Sequence, residues 1–251
     1  MSIKALLARI FADTADRPAP PGHAVYAIGV IHGRADLLDA LLSQIKADAE
    51  DDSEIIFLGD YGNRGPNSAV VLDMVIAAKQ AWPRVTTLKG NHEAVMLDFL
   101  NDASVGPAWA RYGGLDTLMA YGIEPPRTAD PDAWEQARET FAQVLPAMHR
   151  RLLTSLDISC ERGCYFFAHA GVDPQTPLDQ QREEALLWIR DPFLNNERKL
   201  ERIIVHGHSP TPEAHHDDRR IGVDTGAYAT GVLTAARLKD GEVSYIQTRG
   251  I

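Results

Sequence analysis

Residues 54–65, with the sequence EIIFLGDYGNRG, indicate how this chain folds. The first five of these residues are mostly apolar, as in a buried strand, and Gly59 ends that run before a polar loop. An apolar helical pattern follows, with Val70, Val71, Met74 and Ile76 on one face. The stretch therefore predicts a strand, a loop and a helix in succession.

The same unit occurs on both sides of this stretch. Residues 24–30 form an apolar run before a helical pattern at 35–46, and residues 85–88 precede a turn at Gly90 and a helix at 93–100. Three β-loop-α units in a row favour an α/β fold with a partly parallel sheet. In such sheets, ligands bind on the loops at the carboxyl ends of the strands.

The rest of the chain differs from these units. Residues 101–156 are rich in Ala, Trp, Arg and Glu at helical spacing, which predicts a helical insertion that would wall a substrate cleft. Strand-like segments then return at 157–159, 165–168, 202–205, 220–223, 231–238 and 242–247. We expect these strands to be mostly antiparallel and to form a second sheet on the first. We expect one domain over residues 1–251, with residues 1–23 as an N-terminal arm.

Composition narrows the possible partners. The chain has 251 residues, 45% of them hydrophobic, which is enough for a sizeable core. No apolar run approaches the roughly 20 residues that span a bilayer, and no secretory signal pattern is visible, so we expect a cytoplasmic protein without a membrane partner. The formal net charge of −10 and the absence of a dense Lys/Arg run argue against a nucleic-acid partner.

Polar and glycine-rich clusters follow the predicted strands. In chain order they are GVIHG at 29–33, GDYGNRG at 59–65, GNHE at 90–93, HAG at 169–171 and HGHSP at 206–210. Mn²⁺, Fe and Zn²⁺ accept mixed carboxylate, amide-oxygen and imidazole ligands, and neighbouring glycines let backbone and substrate approach closely. One carboxylate can bridge two metals about 3.5–4 Å apart beside a phosphate. The clusters therefore predict a divalent-metal site.

These motifs resemble those of the phosphoprotein phosphatases within the calcineurin-like metallophosphoesterases, which run GDxHG, GDxVDRG, GNHE, a later His, and GH. The resemblance covers residues 24–238, and the similar bacterial members are serine/threonine protein phosphatases and symmetrical dinucleoside tetraphosphatases. It implies an αββα sandwich of two mixed sheets flanked by helices, with two divalent metals at the strand ends. Manganese is the expected metal, with Fe or Zn²⁺ as alternatives.

The resemblance also implies a role for each matching residue. The implied metal ligands are His32, Asp60, Asn91, His169 and His208, with Asp60 as the bridge and His32 in the first site. His92 would be the general acid, oriented by the residue at position 63, here Asn63. Arg64, Arg190 and Asn91 would hold the substrate phosphate.

Three positions depart from the family pattern. Val30 stands where the family has a metal-binding Asp, so the first site keeps only His32 and Asp60 and should bind metal weakly. Asn63 replaces the Asp that charge-stabilises the catalytic His, and Gly62 replaces a Val, which loosens the loop. These changes indicate either a recent loss or retuning of the site, or a selected reshaping that keeps binding.

Other polar residues have simpler interpretations. Cys160 and Cys164 fit small strand residues in a hairpin better than a metal site, which needs four ligands. His206 is interpreted as a neighbour of the site, with metal contact as the alternative, and His215 and His216 as an exposed pair in a loop.

Three functions follow from this reading. The first is a metal-dependent phosphomonoesterase with phosphoserine or phosphothreonine proteins as substrate, whose activity Val30 and Asn63 are expected to reduce. Its phosphorylated partner would be a protein or a small phosphoester. The second is a symmetrical dinucleoside tetraphosphatase, which needs a pocket for a base. The third is a non-catalytic pseudophosphatase that binds phosphoproteins through Arg64 and Arg190.

Overall fold

The three predicted β-loop-α units are present in the computed structural model, which describes residues 17–250. They comprise β1 (Val25–Ile28), α1 (Ala35–Asp48), β2 (Glu54–Phe57), α2 (Ser68–Ala81), β3 (Val85–Thr87) and α3 (Asn91–Asn101). β1, β2 and β3 pair in parallel, so the loops that follow them lie at one edge of the sheet.

The first sheet is completed by the end of the chain. Strands β9 (Val232–Lys239) and β10 (Glu242–Arg249) form an antiparallel hairpin, and β9 pairs with β1. The strand order is therefore β10-β9-β1-β2-β3. The expectation that these two strands belong to the second sheet is wrong, because the backbone edge of β1 opposite β2 is open for β9 to occupy.

The second sheet is mixed, whereas we expected mostly antiparallel strands. It comprises β4 (Ser159–Arg162), β5 (Tyr165–Ala168), β6 (Ile203–His206), β7 (His215–His216) and β8 (Arg220–Gly222), in the order β4-β5-β6-β8-β7. The three central strands are parallel, and β4 and β7 are antiparallel edges. The first predicted strand, at 157–159, is shifted: β4 begins only at Ser159, and Asp157 makes an isolated bridge to Leu88.

Helices occupy the predicted insertion. After a 3-10 turn at Ala103–Val105 these are α4 (Gly106–Ala110), α5 (Gly114–Ala120), α6 (Pro131–Val144) and α7 (Ala147–Thr154). Of the predicted N-terminal arm, residues 1–16 lie outside the described part of the chain. Between residues 17 and 250, the structure contains no helix with the length and apolar character of a membrane span.

Alternating burial along the strands makes a layered core. Val25 and Ala27 of β1 point into the cluster between the two sheets, while Tyr26 and Ile28 point into the cluster under α1, α2 and the insertion. A third cluster covers the outer face of the second sheet, where short helices α8 (Glu183–Trp188) and α9 (Asp191–Leu194) pack. Both sheets are thus buried on both faces, which confirms the predicted α/β sandwich of two mixed sheets flanked by helices.

Candidate active site

The site lies where the loops after the central strands of both sheets meet. Asp60 and Asn91 follow β2 and β3 of the first sheet, and His169 and His208 follow β5 and β6 of the second. The site residues with positive φ are His32 (48°), Asp60 (54°), Asn63 (67°), Arg64 (65°) and His208 (62°). This backbone conformation is costly for non-glycine residues and persists where the surrounding structure holds it, most often at functional sites.

Four ligand atoms converge at the second metal site. Nε2 of His169 lies 2.9 Å from Oδ1 of Asn91, 3.2 Å from Nδ1 of His208 and 3.3 Å from Oδ2 of Asp60. Nδ1 of His208 lies 2.9 Å from the same Asn91 oxygen. Ligand atoms about 2.0–2.2 Å from a tetrahedral ion lie roughly 3.3–3.6 Å from one another. The four groups are therefore close to the spacing that a divalent ion requires.

Hydrogen bonds, burial and neighbouring charges set the ring orientation and protonation of these candidate ligands. Nδ1 of His169 donates to the carbonyl oxygen of Leu58 at 2.7 Å, so Nε2 is the ring nitrogen that faces Asp60. Burial acts to lower the pKa of His169, but the Asp60 carboxylate outweighs it and raises that pKa. Burial lowers the pKa of His208 to about 3, so its imidazole is neutral. Burial acts to raise the pKa of the Asp60 carboxyl, but His169 and His92 outweigh it and hold that pKa well below its usual range. The residues present thus fit a divalent metal here.

The first candidate metal site has too few protein ligands to fit a divalent metal. Nε2 of His32 lies 3.7 Å from Oδ2 of Asp60, and its Nδ1 donates to the carbonyl oxygen of Gly62 at 2.9 Å, so Nε2 is free to bind. The third family ligand is replaced by Val30, a buried side chain with a methyl group against Gly207. His92 is the only other candidate ligand grouped with His32 and Asp60 among residues 17–250. Two protein ligands do not make a stable divalent site.

His92 lies between Asn63 and Arg64. The amide nitrogen of Asn63 donates to Nδ1 of His92 at 2.7 Å, and Nη2 of Arg64 lies 3.5 Å from Nε2. Oδ2 of Asp60 is 3.9 Å from Nε2. Burial lowers the pKa of His92, and Arg64 acts in the same direction while Asp60 opposes it. Sequence reasoning placed Asn63 behind His92, and the structure brings them into contact.

The two candidate phosphate-binding arginines border the metal ligands. Arg64 lies with its guanidinium carbon 4.5 Å from the ring centre of Tyr228, whose ring in turn meets that of His32 edge-on. Nη1 of Arg190 donates to Oγ of Ser209 at 3.4 Å, next to His208. Both arginines thus lie next to residues of the candidate metal site.

Glu93 supports the metal loop and was not assigned by the sequence reasoning. One carboxylate oxygen accepts from the backbone N–H groups of Asp60 at 2.7 Å and Gly90 at 3.0 Å, and the other accepts from Tyr61 at 2.9 Å. Burial raises the pKa of Glu93 to about 7. Its position three residues after Gly90, at the start of a helix, is the sequence signal that could have revealed it.

Asp224 is a second acid that the sequence reasoning missed. It is buried, its Oδ1 accepts from the N–H of Gly226 at 2.9 Å, and burial raises its pKa to about 6. The charge of Asp60 adds to that rise, which places Asp224 in the electrostatic field of the site. No metal-ligand spacing in the sequence marks this residue.

Other sequence-predicted polar residues lie apart from the metal ligands. His206 is buried, with Nδ1 donating to the Gly207 carbonyl oxygen at 3.0 Å and Nε2 accepting from Arg220 at 3.2 Å, so both nitrogens have protein partners. His215 and His216 are exposed, as expected, but form edge strand β7 and not a loop, because they pair with β8. Cys160 and Cys164 are free thiols in the β4–β5 hairpin.

Curated relatives of this chain include a phosphatase and a tetraphosphatase. The chain is 28% identical over 225 residues to serine/threonine-protein phosphatase 2 of Escherichia coli (strain K12), covering 86% of this chain and 93% of that protein. It is 29% identical over 162 residues to a symmetrical bis(5'-nucleosyl)-tetraphosphatase of Dechloromonas aromatica (strain RCB). That match covers 64% of this chain but only 49% of the relative, so the alignment spans about half of that protein.

Solved structures show the same fold. The crystal structure of a putative diadenosine tetraphosphatase superposes with a TM-score of 0.64 at 20% identity, over 92% of this chain and 96% of that one. A yeast serine/threonine phosphatase structure from Saccharomyces cerevisiae gives a TM-score of 0.55 at 17% identity, over 100% of this chain and 91% of the other. The model of the family described as calcineurin-like phosphoesterase matches residues 23–246. This chain therefore belongs to the calcineurin-like phosphoesterases, which are hydrolases of phosphate esters.

Proposed function

We propose that this protein hydrolyses phosphoesters with one divalent metal, held by Asp60, Asn91, His169 and His208. The observation that supports it is the convergence of these four ligand atoms, with neighbouring distances of 2.9–3.3 Å. Manganese is the metal we propose, because a carboxylate, an amide oxygen and two imidazoles suit it.

The side chains around these ligands have separate roles in the proposed hydrolysis. Arg64 and Arg190 bind the phosphate oxygens and orient the phosphorus toward the metal ligands. A bound divalent metal supplies a water of lowered pKa and polarises the phosphoryl oxygen. His92 lies beside Asp60, with 3.9 Å between its Nε2 and Oδ2 of that carboxylate. With the first site reduced to His32 and Asp60, we expect a slow enzyme.

The relatives do not fix the substrate. One is named a serine/threonine-protein phosphatase and another a tetraphosphatase of dinucleosides. The expectation of phosphoserine or phosphothreonine proteins therefore stays a prediction, and so does the pseudophosphatase alternative, which predicts phosphate-dependent binding without turnover.

Turnover of p-nitrophenyl phosphate with millimolar Mn²⁺, compared with chelator, tests the proposal. We expect hydrolysis that needs the metal and that Asp60→Asn abolishes, because this change removes the charge of the central ligand. Asp39→Asn is the matched control, since Asp39 is exposed on α1. Equal turnover by wild type and Asp60→Asn, or phosphate binding without any turnover, would contradict the proposal.

A further inference from the structure

Two exposed aromatic side chains border the candidate site. Among residues 17–250, the aromatic side chains with high exposure are Tyr112, Trp188 and Tyr228. The Trp188 ring centre lies 6.3 Å from that of His208, and the Tyr228 ring centre lies 5.2 Å from that of His32, each pair at close to a right angle. Exposed aromatic rings beside a polar site are typical of binding surfaces. Trp188 and Tyr228 are therefore placed to contact a substrate.

Tyr228 has a partner within the protein. The guanidinium carbon of Arg64 lies 4.5 Å from the centre of its ring, which is a cation–π contact. The turn that carries Tyr228 is held in place, because Nη1 of Arg34 donates to the carbonyl oxygen of Ala227 at 2.9 Å. One face of the Tyr228 ring is thus covered by Arg64. We interpret Tyr228 as a positioning residue for that phosphate-binding arginine.

Trp188 is the more open of the two rings. It is the last residue of α8 and is 46% exposed, whereas Leu186 and Leu187 just before it are buried. The N–H of Ala170, in the loop after β5, donates to the carbonyl oxygen of Leu186 at 2.8 Å. The end of the helix is therefore bonded to a loop that carries a metal ligand. Trp188 offers an aromatic surface at a fixed place beside the site.

The position of Trp188 limits what can reach it. Its ring contacts the ring of His208, so it lies outside the ring of metal ligands. Arg190, two positions later, donates to Oγ of Ser209 at 3.4 Å. A phosphate held by Arg190 would bring onto Trp188 a group several bonds away from the reacting phosphorus. The ring of a phenyl phosphate is only one oxygen away, and a serine side chain has no ring. A nucleobase, joined through a sugar and further phosphates, has both the ring and the reach.

We propose that Trp188 stacks on the base of a nucleoside polyphosphate while Arg64 and Arg190 hold its phosphates. This inference rests on the proposed function and names the substrate class for it. In the hydrolysis, a water oxygen bonds to phosphorus and the bond from phosphorus to the leaving oxygen breaks. The electron pair stays on that oxygen, and the proton lost by water passes to solvent. Because every base has an aromatic face, stacking selects for a base without selecting which one.

The test compares two substrates with the same number of phosphates, ATP and inorganic tripolyphosphate, both with Mn²⁺. Stacking of one base on an aromatic side chain is worth about 5–150-fold in affinity. We expect wild type to prefer ATP, and Trp188→Leu to lower the ratio of kcat/KM for ATP to that for tripolyphosphate by this factor, through KM. Trp188→Phe keeps a ring and should restore most of the ratio. Met148→Leu, at an exposed position on α7, is the control and should keep the wild-type ratio.

Binding gives a second readout that does not depend on turnover. Trp109 and Trp134 are buried and Trp82 is partly buried, so a stacked base should quench mainly the fluorescence of Trp188. We expect ATP with Mn²⁺ to quench wild type, tripolyphosphate not to, and Trp188→Phe to lose the quenching by ATP.

Three results would contradict these expectations. An unchanged ratio in Trp188→Leu, or an equal loss on both substrates, would overturn the inference while leaving the proposed function in place. An equal dependence on Trp188 in the preference for phenyl phosphate over methyl phosphate would overturn the nucleobase as occupant. Absence of turnover on every substrate, p-nitrophenyl phosphate included, would overturn the proposed function and this inference with it.

Discussion

Asp224 is a carboxyl group whose environment opposes its charge. It is buried, and its pKa of about 6 lies above that of an exposed aspartic acid. Because the folded state raises this pKa, the folded protein must ionise Asp224 at a cost as pH rises from about 4 to about 6. The carboxyl group therefore lowers the free energy of unfolding at neutral pH.

Asp224→Asn should remove this cost. The amide oxygen can still accept from the N–H of Gly226, so the local geometry is kept. In chelator at pH 7, we expect a free energy of unfolding higher than wild type by on the order of 1–3 kcal/mol, and no difference below about pH 4. Urea unfolding across this pH range measures it. A variant less stable than wild type at pH 7 would show that the charge is compensated in the fold.

The sequence predicted which candidate ligands lie close together, but it did not predict the residues that hold them in place. Asp60, Asn91, His169 and His208 stand in motifs at strand ends, where a short stretch of chain determines their position. Thr117 reaches Asn63 from 54 positions along the chain, through the packing of the insertion. Such a contact depends on the tertiary fold, which local sequence patterns do not report.

At the scale of elements, the loop between β3 and α3 is packed directly on the metal ligand. A Cβ added to Gly90 would lie 2.1 Å from Oδ1 of Asp60 and 2.4 Å from its backbone nitrogen. Contacts this short force a shift of the β2 loop, which carries Asp60. The glycine is required here for close approach and not for an unusual φ, which is −94°.

Gly90→Ala should therefore displace Asp60. We expect Mn²⁺ affinity to fall by at least about tenfold, together with a loss of stability typical of overpacking, about 1–3 kcal/mol. Gly22→Ala is the matched control, because a Cβ there has no neighbour within 4 Å. Calorimetric titration with Mn²⁺ measures the affinity of both variants, and thermal melts measure their stability. Unchanged affinity in Gly90→Ala would mean that the loop yields without moving the carboxylate.

Helices and strands could be predicted where the spacing of their own apolar residues determines the secondary structure. The apolar spacing in α1, α2 and α3 gave these helices to within a few residues of their observed ends. The sheet to which each strand belongs could not be predicted. β9 joins the first sheet through hydrogen bonds to β1, a strand more than 200 positions earlier, and β10 joins it through hydrogen bonds to β9. Alternating apolar residues predict a strand but do not identify its partner.

At the scale of the whole molecule, the proposed metal joins the two sheets. Asp60 and Asn91 come from the first sheet, and His169 and His208 from the second. An ion bound to all four stabilises only the folded state, in which the sheets are packed together.

Mn²⁺ should therefore raise the melting temperature. At a free concentration of 100 times Kd, the gain is about 2.7 kcal/mol. Asn91→Ala should lose most of this shift, and Asn101→Ala, an exposed position at the end of the same helix, should keep it. Thermal melts with and without Mn²⁺ measure the shift in melting temperature for each variant. An equal shift in the two variants would mean that the ion binds elsewhere.

The central claim is that one metal site is complete and that Val30 leaves the other incomplete. The most direct measurement is the metal content per chain by elemental analysis, after dialysis against a trace of Mn²⁺, for wild type, Val30→Asp and Val30→Ala. We predict one Mn²⁺ per chain in wild type and Val30→Ala, and two in Val30→Asp, since only the aspartate adds a third ligand to His32 and Asp60. Two metals in wild type, or none, would contradict the account.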